Sequence, residues 1–524
     1  MRVEQGFQIP PYEEGNPFST DPVLPSLLKR TLPELIFREI QPDLVRLGDD
    51  ISTVIRDIHR RGEISDPSVD RLQTSEGWRK LKAISQKEGI PGIFYERKHG
   101  SLLPISMTDG CARVIELAGS PAMKRDVFPR LVSRDPEQAF TAGQWMTERP
   151  GGSDVSQTET FAWFSSATDS DVALALGRSG APGAGSRGPL ALPCTARMPL
   201  LRDNNIFVHR LKNKFGTKTL PTAELSLEGA EGYRIGPENQ GVKLITPVLN
   251  ITRVWSAVHS ASALRRCLAI ATSYARVRKI QGGTQLLQDA PLHVSQLASI
   301  NLTYRALTHF VFGVVSLLGK SECETTSADE RHLLRIMTPT VKAFAAEKAT
   351  AAMEEAMTAL GGNGYMEEND LGRLIRDGLV ERIWEGTTTV LSLDLARAMR
   401  GDAVNAFSTW AGSVLDAAPP STRQRLMAET QTLRTCIEEL GQCFAQMTPL
   451  VPRPALMLMG CTLSSLFFSS MRLADLDTEV FSRWVQESGL DLCLQAVRRS
   501  RLDVQHRTSY DTAIVFGAAK PSKL

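Results

Sequence analysis

The stretch from Gly361 to Arg397 reads GGNGYMEENDLGRLIRDGLVERIWEGTTTVLSLDLAR, and the rest of the chain is read outward from it. Glu385 stands there between the apolar pair Ile383 and Trp384 and a glycine, Gly386, and Thr387, Thr388 and Thr389 add no charge. A carboxylate held against an aromatic face and shielded from water has its charged form destabilised, so its pKa rises toward the range useful for accepting a proton. Glu385 is therefore a candidate base; the alternative is a surface glutamate in a turn between helices. Upstream, Gly361 and Gly362 close a helical run from Glu330 to Leu360 as a glycine stop.

Hydrophobic periodicity divides the chain around this stretch. From Leu24 to about Gln138 helix-length segments dominate, as in Glu34 to Arg61, where Leu35, Ile36, Ile40, Leu44, Leu47, Ile51 and Ile55 recur at three-to-four spacing. Pro42 is expected to kink or restart that helix. From Ala139 to Gly241 the segments shorten and alternate between glycines and prolines, as in VALALGR, NNIFVHRL, AELSLE and YRIG, which read as strands. The Gly/Ser-rich run from Gly177 to Pro189 reads as a surface loop. Long helices return at Arg253 to Ile280, His293 to Gly319 and Glu330 to Leu360, and their apolar stripes call for an antiparallel bundle. After Gly401 the pattern is again helical, with a break at Pro419 and Pro420. The expected organisation is thus a mostly helical chain with a small β domain: an N-terminal helical domain over 1–138, a β domain over 139–241, a helical bundle over 242–400 and a helical extension over 401–524.

Composition bounds the function. At 524 residues the chain exceeds one core. Its 60 basic and 58 acidic residues nearly cancel, so no general pull toward nucleic acid or membrane follows. The cysteines stand singly and the histidines show no metal-ligand spacing, which predicts a reduced intracellular protein without a metal site. The opening MRVEQGFQIPPYEEGNPF mixes charge with proline and glycine, unlike a secretory leader. The longest uncharged run, Pro454 to Met471, is interrupted by Gly460 and several hydroxyl residues, and reads as a buried helix rather than a membrane span. The chain ends Ser522, Lys523, Leu524, which is a receptor-read peroxisomal address.

A second block, QWMTERPGGSDVSQTET from Gln144 to Thr160, adds glycines that let Ser153, Asp154 and nearby amides approach a phosphate or a ring edge closely. Its MTE and GGSD pattern resembles the flavin-binding signature of the acyl-CoA dehydrogenase superfamily, and the GG, RD and WEGT elements of Gly361 to Arg397 resemble the end of that family's catalytic domain. NITRVWSAVHSASALRRC from Asn250 resembles its substrate-side helix, and YARVRKIQGG from Tyr274 its arginine-bearing motif. The segment LKNKFGTKTLPTAELSLEGAEGYRIG and the long extension are similar to the AidB-like subgroup, and the SKL ending gives the combination a fungal look.

The resemblance implies the acyl-CoA dehydrogenase fold, with a β-barrel-like middle domain, a four-helix bundle and FAD between them. It implies that Glu385 takes the α-proton of an acyl-CoA while a β-hydride goes to flavin N5, with Trp384, Gly386 and Arg253 on the substrate side. Met146, Thr147, Trp163 and Ser165 would touch the isoalloxazine. Ser153 would lie near the diphosphate or the acyl-CoA, Arg278 would meet the flavin diphosphate across a subunit boundary, and Gly362 and Thr387 would line the adenosine or ribityl side. A homotetramer built as a dimer of dimers follows, with electrons going to a flavoprotein or, as in an acyl-CoA oxidase, to oxygen. The expected setting is fatty-acid β-oxidation or acyl tailoring for a secondary metabolite, with import through the peroxisomal receptor. A different class also follows from the AidB-like resemblance: a flavoprotein with little dehydrogenase activity that binds a partner or nucleic acid through Arg498, Arg499, Arg501 and Arg507.

The chain departs from the family where Thr160 runs almost directly into Phe161 and where Gly100 meets Ser101, as if a hairpin and a helix were missing. Gln281 and Thr358 also replace an aromatic and a glutamine, which predicts weaker flavin binding.

Overall fold

A computed structural model describes residues 14–55, 76–88, 104–148, 162–165, 170–177, 190–192, 204–218, 220–237, 240–469 and 475–517. Ser153, the loop over 178–189, both family departures at 100/101 and 160/161, and Ser522, Lys523 and Leu524 lie outside them. The chain divides into two compact units, Met1–Val294 with Met353–Glu385, and Ser295–Ala352 with Gly386–Leu524.

The first unit opens with helices. Asp21 accepts from the backbone N–H groups of Val23 and Leu24 at the start of the helix Leu24–Thr31, satisfying donors that a helix start leaves open. The next helix, Glu34–Asp50, runs on through Pro42 rather than restarting there. The expected strands form as β1 (Ala142–Trp145), β2 (Thr147–Glu148), β3 (Ala162–Ser165), β4 (Val172–Leu176), β5 (Leu190–Leu192), β6 (Ile206–Leu211), β7 (Ala223–Leu227) and β8 (Tyr233–Ile235). They make two four-stranded sheets in the orders β1-β4-β5-β8 and β2-β3-β7-β6, antiparallel except where β1 runs parallel to β4.

Strand alternation in β4 explains how this region is filled. Val172, Leu174 and Leu176 join Cys111 and Ile115 of the helix Pro104–Ala118 and Ile245 and Val248 of the helix Gly241–Val277 in one core. Ala173 and Ala175 point the other way, to Trp145, Ile206 and Leu225. Trp145 is fully buried there, and truncating such a side chain to alanine costs about 3–5 kcal/mol.

The helix Gly241–Val277 is 37 residues long and begins well before Arg253, the start that its sequence suggests. Pro247 marks a break by sequence alone, but burial of Ile245, Val248 and Ile251 carries the helix through it. Gly110 lets the helix Pro104–Ala118 lie close: a Cβ there would fall 2.6 Å from Val248 Cγ1.

The second unit is helical in its described residues. Phe310 of the helix Pro291–Glu322 stacks on Phe467 of the helix Pro452–Ser469, with ring centroids 5.8 Å apart, and lies 6.3 Å from Phe344 of the helix Ala328–Thr358. Two glycines permit the contact. A Cβ on Gly460 would fall 2.3 Å from Phe344 Cδ2, and one on Gly313 would fall 2.3 Å from Phe467 Cδ1. The uncharged run read as a buried helix is one: Leu456, Leu458, Met459, Leu463 and Leu466 have no exposure. Among the described residues only Pro291–Glu322 has the length and apolarity of a membrane span, and Leu297, Leu307, Phe310, Val311 and Val314 spend that apolarity on the core. The glycine stop is present at Gly361, whose φ is +60° just after the helix ends at Thr358. The break at Pro419 and Pro420 separates Asp402–Asp416 from Pro420–Arg425.

Candidate active site

Glu385 has φ +55° and is followed by Gly386 at φ +101°. The left-handed region disfavours a residue with a Cβ, so Glu385 is held there by its surroundings. Thr252 Oγ1 lies 2.6 Å from Glu385 Oε2 and 3.1 Å from the Val248 carbonyl of its own helix; the shorter contact is to the carboxylate. Gly386 belongs to the second unit, where the fully buried Lys342 donates from Nζ to its carbonyl at 2.7 Å. In that unit Thr387 is exposed and caps the helix Thr388–Ala398 by accepting from Val390 N–H. Thr388 Oγ1 bonds Glu347 at 2.7 Å.

Trp384 is half-buried, and its indole Nε1–H donates to Glu381 Oε2 at 2.5 Å. Glu381, four positions before the candidate base, is the carboxylate that sequence reasoning missed. It is 1% exposed, accepts from Ser256 Oγ at 2.5 Å and lies 3.2 Å from His259 Nδ1. A third carboxylate, Asp109, accepts from Trp255 Nε1 at 3.2 Å. Burial pushes its carboxyl up to about 7, with the Trp255 hydrogen bond and the Arg113 charge opposing the rise.

Thr252, Trp255, Ser256 and His259 recur at the three-to-four spacing of one helix face, so one stripe of the helix Gly241–Val277 touches all three acids. That polar stripe in an apolar helix was the available signal. Arg253 is half-buried one position along and points off the stripe.

The loop after β6 docks against the RD pair. Asp377 Oδ1 accepts from Thr217 N–H at 2.5 Å, and a Cβ on Gly216 would fall 2.3 Å from the Arg376 carbonyl. Burial lowers Lys214 beside it to about 8, against the pull of Asp377. Arg376 itself pairs with Glu367 at 2.6 Å.

The residues expected to hold a flavin fall into two groups. Thr147 and Glu148 of β2 pair with Phe164 and Trp163 of β3, so the MTE and WFS segments are adjacent strands. Met146 is buried and Thr147 exposed, and among the described residues Gln144 Oε1 is buried without a partner. The second group lies at the end of the long helix. Arg278 follows its last residue, is exposed, and its guanidinium meets no acid among the described residues. Asn363 Nδ2 donates to Tyr274 Oη at 3.4 Å and brings the Gly361–Tyr365 turn to that helix end. A Cβ on Gly362 would meet nothing within 4 Å. The edge strand β2 and an exposed guanidinium that meets no acid among the described residues have the chemistry to take a ring system and a diphosphate, and in that respect they fit FAD. No group of metal-ligating side chains occurs among the described residues.

The family model described as "Acyl-CoA dehydrogenase, C-terminal domain" matches residues 239–400. Over 439 residues the chain is 37% identical to "Acyl-CoA dehydrogenase family member 11" of Caenorhabditis elegans, covering 74% of this chain and 71% of that protein. Over 432 residues it is 29% identical to "Putative acyl-CoA dehydrogenase AidB" of Escherichia coli (strain K12), covering 76% and 75%. The crystal structure of Caenorhabditis elegans ACDH-11 in complex with C11-CoA superposes with a TM-score of 0.86 at 31% identity, covering 98% of this chain and 97% of that one. An acyl-CoA dehydrogenase from Bacillus anthracis complexed with FAD, at 16% identity and TM-score 0.64, shares the fold. The fungal look of the sequence is not borne out by these matches.

Proposed function

The chain belongs to the acyl-CoA dehydrogenase family of FAD-dependent enzymes, and from that premise we propose that it desaturates the Cα–Cβ bond of an acyl-CoA thioester, with Glu385 as the base. The observation that carries this reading is the Thr252 hydrogen bond to Glu385 Oε2 at 2.6 Å. That bond fixes the carboxylate in place, and the carboxylate is the group we assign to receive the α-proton. The thioester carbonyl must be stabilised as the α-proton leaves, and backbone N–H donors do this without reorganisation; the N–H of Glu385 is the donor we assign. Glu381 fixes the Trp384 ring as one wall of the acyl site. Bound FAD supplies the acceptor for the hydride leaving Cβ. Thr147 and the β2–β3 edge would hold its ring, and Arg278 with Gly362 its diphosphate half.

The nematode relative was crystallised with C11-CoA, so an acyl-CoA of that length heads the panel to be tested. Anaerobic addition of acyl-CoAs to the yellow protein is expected to bleach the flavin, and Glu385→Gln is expected to bind flavin and thioester without bleaching. Equal bleaching by Glu385→Gln would remove Glu385 from the chemistry. Import into peroxisomes through Ser522, Lys523 and Leu524 is a further proposal, tested by locating an amino-terminal fluorescent fusion with and without those residues.

Nucleic-acid binding gains no support from the extension. Arg498 donates to Glu439 Oε2 at 2.9 Å and Arg501 to Glu439 Oε1, so two of the four candidate guanidiniums are already paired.

A further inference from the structure

Most described cysteines are buried, and burial pushes Cys267, Cys436 and Cys443 up to about 12; Cys436 also lies near enough to Cys493 to feel its charge. Cys461 and Cys493 differ because each shifts the other's proton affinity, and the two helices that carry them pack against each other. Cys461 lies on the helix Pro452–Ser469 and has no exposure, while Cys493 lies in the first turns of the helix Leu490–Ser500 and is half-buried. Gly489 at φ +83° starts that helix, and its carbonyl accepts from Cys493 N–H at 3.0 Å.

A cation completes the cluster. Lys348 Nζ donates to the Ser488 carbonyl at 2.7 Å, and Cys461 Sγ lies 3.8 Å from the same oxygen. A Cβ on Gly489 would fall 3.9 Å from Lys348 Nζ, so the ammonium sits at the helix start. A helix N-terminus and a neighbouring ammonium both favour a thiolate. The Cys461 thiol and the Lys348 charge bring Cys493 down to about 7 against burial. The partner Cys461 moves the other way, raised by Cys493 and by burial, and so keeps its proton. Asp491 and Arg498 also face Cys436 in this region. Among the described residues no metal-ligating group forms there.

We propose that Cys461 and Cys493 are a peroxide-oxidised dithiol, with Cys493 as the attacking sulfur and Cys461 as the resolving one. The Cys493 thiolate attacks one oxygen of hydrogen peroxide, the O–O bond breaks, and the departing hydroxide leaves as water after taking a proton, giving Cys493 sulfenic acid. The Cys461 sulfur, losing its proton, then attacks the Cys493 sulfur; the S–O bond breaks, a second water leaves, and the disulfide forms. Peroxide is reduced by the two electrons that the thiols give up. The product staples Pro452–Ser469 to Leu490–Ser500, and a thiol reductant reverses it.

The test is peptide mapping of the reduced full-length protein after brief exposure to hydrogen peroxide and alkylation in denaturant. The expected result is one cross-linked peptide pair containing Cys461 and Cys493, lighter by two hydrogen atoms and restored by dithiothreitol, while Cys323, half-buried and outside the cluster, remains alkylatable. In Cys461→Ser a sulfenic acid is expected at Cys493, trapped by dimedone, and Lys348→Met is expected to slow alkylation of Cys493 in the native protein about ten-fold, the effect of one pKa unit. Cys323 reacting as fast as Cys493, or Cys493 passing to sulfinic acid while Cys461 stays a free thiol, would overturn the proposal. The wild-type measurement decides even where a variant fails to fold.

Discussion

Two long helices, one in each unit, bury hydroxyl groups in opposite ways. In Pro452–Ser469, Thr462 donates to Leu458 O at 2.9 Å and Ser464 and Ser465 to Cys461 O at 3.0 and 2.8 Å, so each of these protons stays within its own helix, while Ser464 Oγ also accepts from Trp484 Nε1 at 3.1 Å. In Gly241–Val277 the stripe of Thr252, Trp255, Ser256 and His259 reaches across to Glu385, Asp109 and Glu381. An in-helix bond lets a polar side chain pack as if apolar. A bond across to a carboxylate fixes a charged or protonated group in space, and that is where chemistry can be placed. The count of buried polar residues does not separate the two helices; the direction in which their protons point does.

The strongest attempt to break this contrast is Glu385→Gln, for which flavin reduction by acyl-CoA is expected to slow by about 10³-fold or more, measured as a single-turnover rate with flavin content and Tm unchanged. A smaller loss would demote the reach across to structure. Asp109→Asn tests the same stripe through stability. The native carboxyl titrates at about 7 and an unfolded one near 4. Between those values the native state holds a proton that the unfolded chain has released, so this group's stabilisation is present at low pH and is lost as pH rises toward 7. The Asp109→Asn variant, whose amide does not titrate, is expected to flatten that slope and to raise stability at pH 8 by up to about 4 kcal/mol, read from denaturant unfolding across pH. Thr252→Val should slow flavin reduction roughly ten-fold, about 1.4 kcal/mol, and shift its pH profile. Smallest is Ser465→Ala in the extension, for which a change in stability within about 1 kcal/mol and an unchanged reduction rate are expected. A rate effect there equal to that of Thr252→Val would erase the distinction.

The order of helices, strands and helices was legible because periodicity survives local noise, and VALAL, IFVHRL, AELSL and YRI are strands as read. The early start of the long helix was not, because Pro247 is a genuine breaker by local chemistry and only the burial of its neighbours overrides it. Glu385 stands out as a candidate in the sequence because its signal is contiguous: an aromatic, the acid, a glycine. Glu381 looked like one more charged residue in ERIW, and its role comes from partners 125 and 122 residues away, Ser256 and His259. Thr252 is likewise 133 residues from Glu385. Spacing within one segment cannot announce a bond closed over that distance. The pairing of β2 with β3 sets Thr147 opposite Phe164 and Glu148 opposite Trp163, so the MTE and WFS segments lie on adjacent strands.

Gly460 and Gly313 have a consequence at the level of genes. The ring of Phe344 lies on bare backbone at Gly460, and that of Phe467 on bare backbone at Gly313, so the helix carrying Lys342 and the extension share one interlocked surface. Neither can acquire a methyl group at these points without the other yielding. The extension is therefore inherited as a wall of the helix that holds the Gly386 carbonyl, and a transcript that stopped after residue 400 would encode a protein with Phe310 and Phe344 open to water, fit for degradation before catalysis.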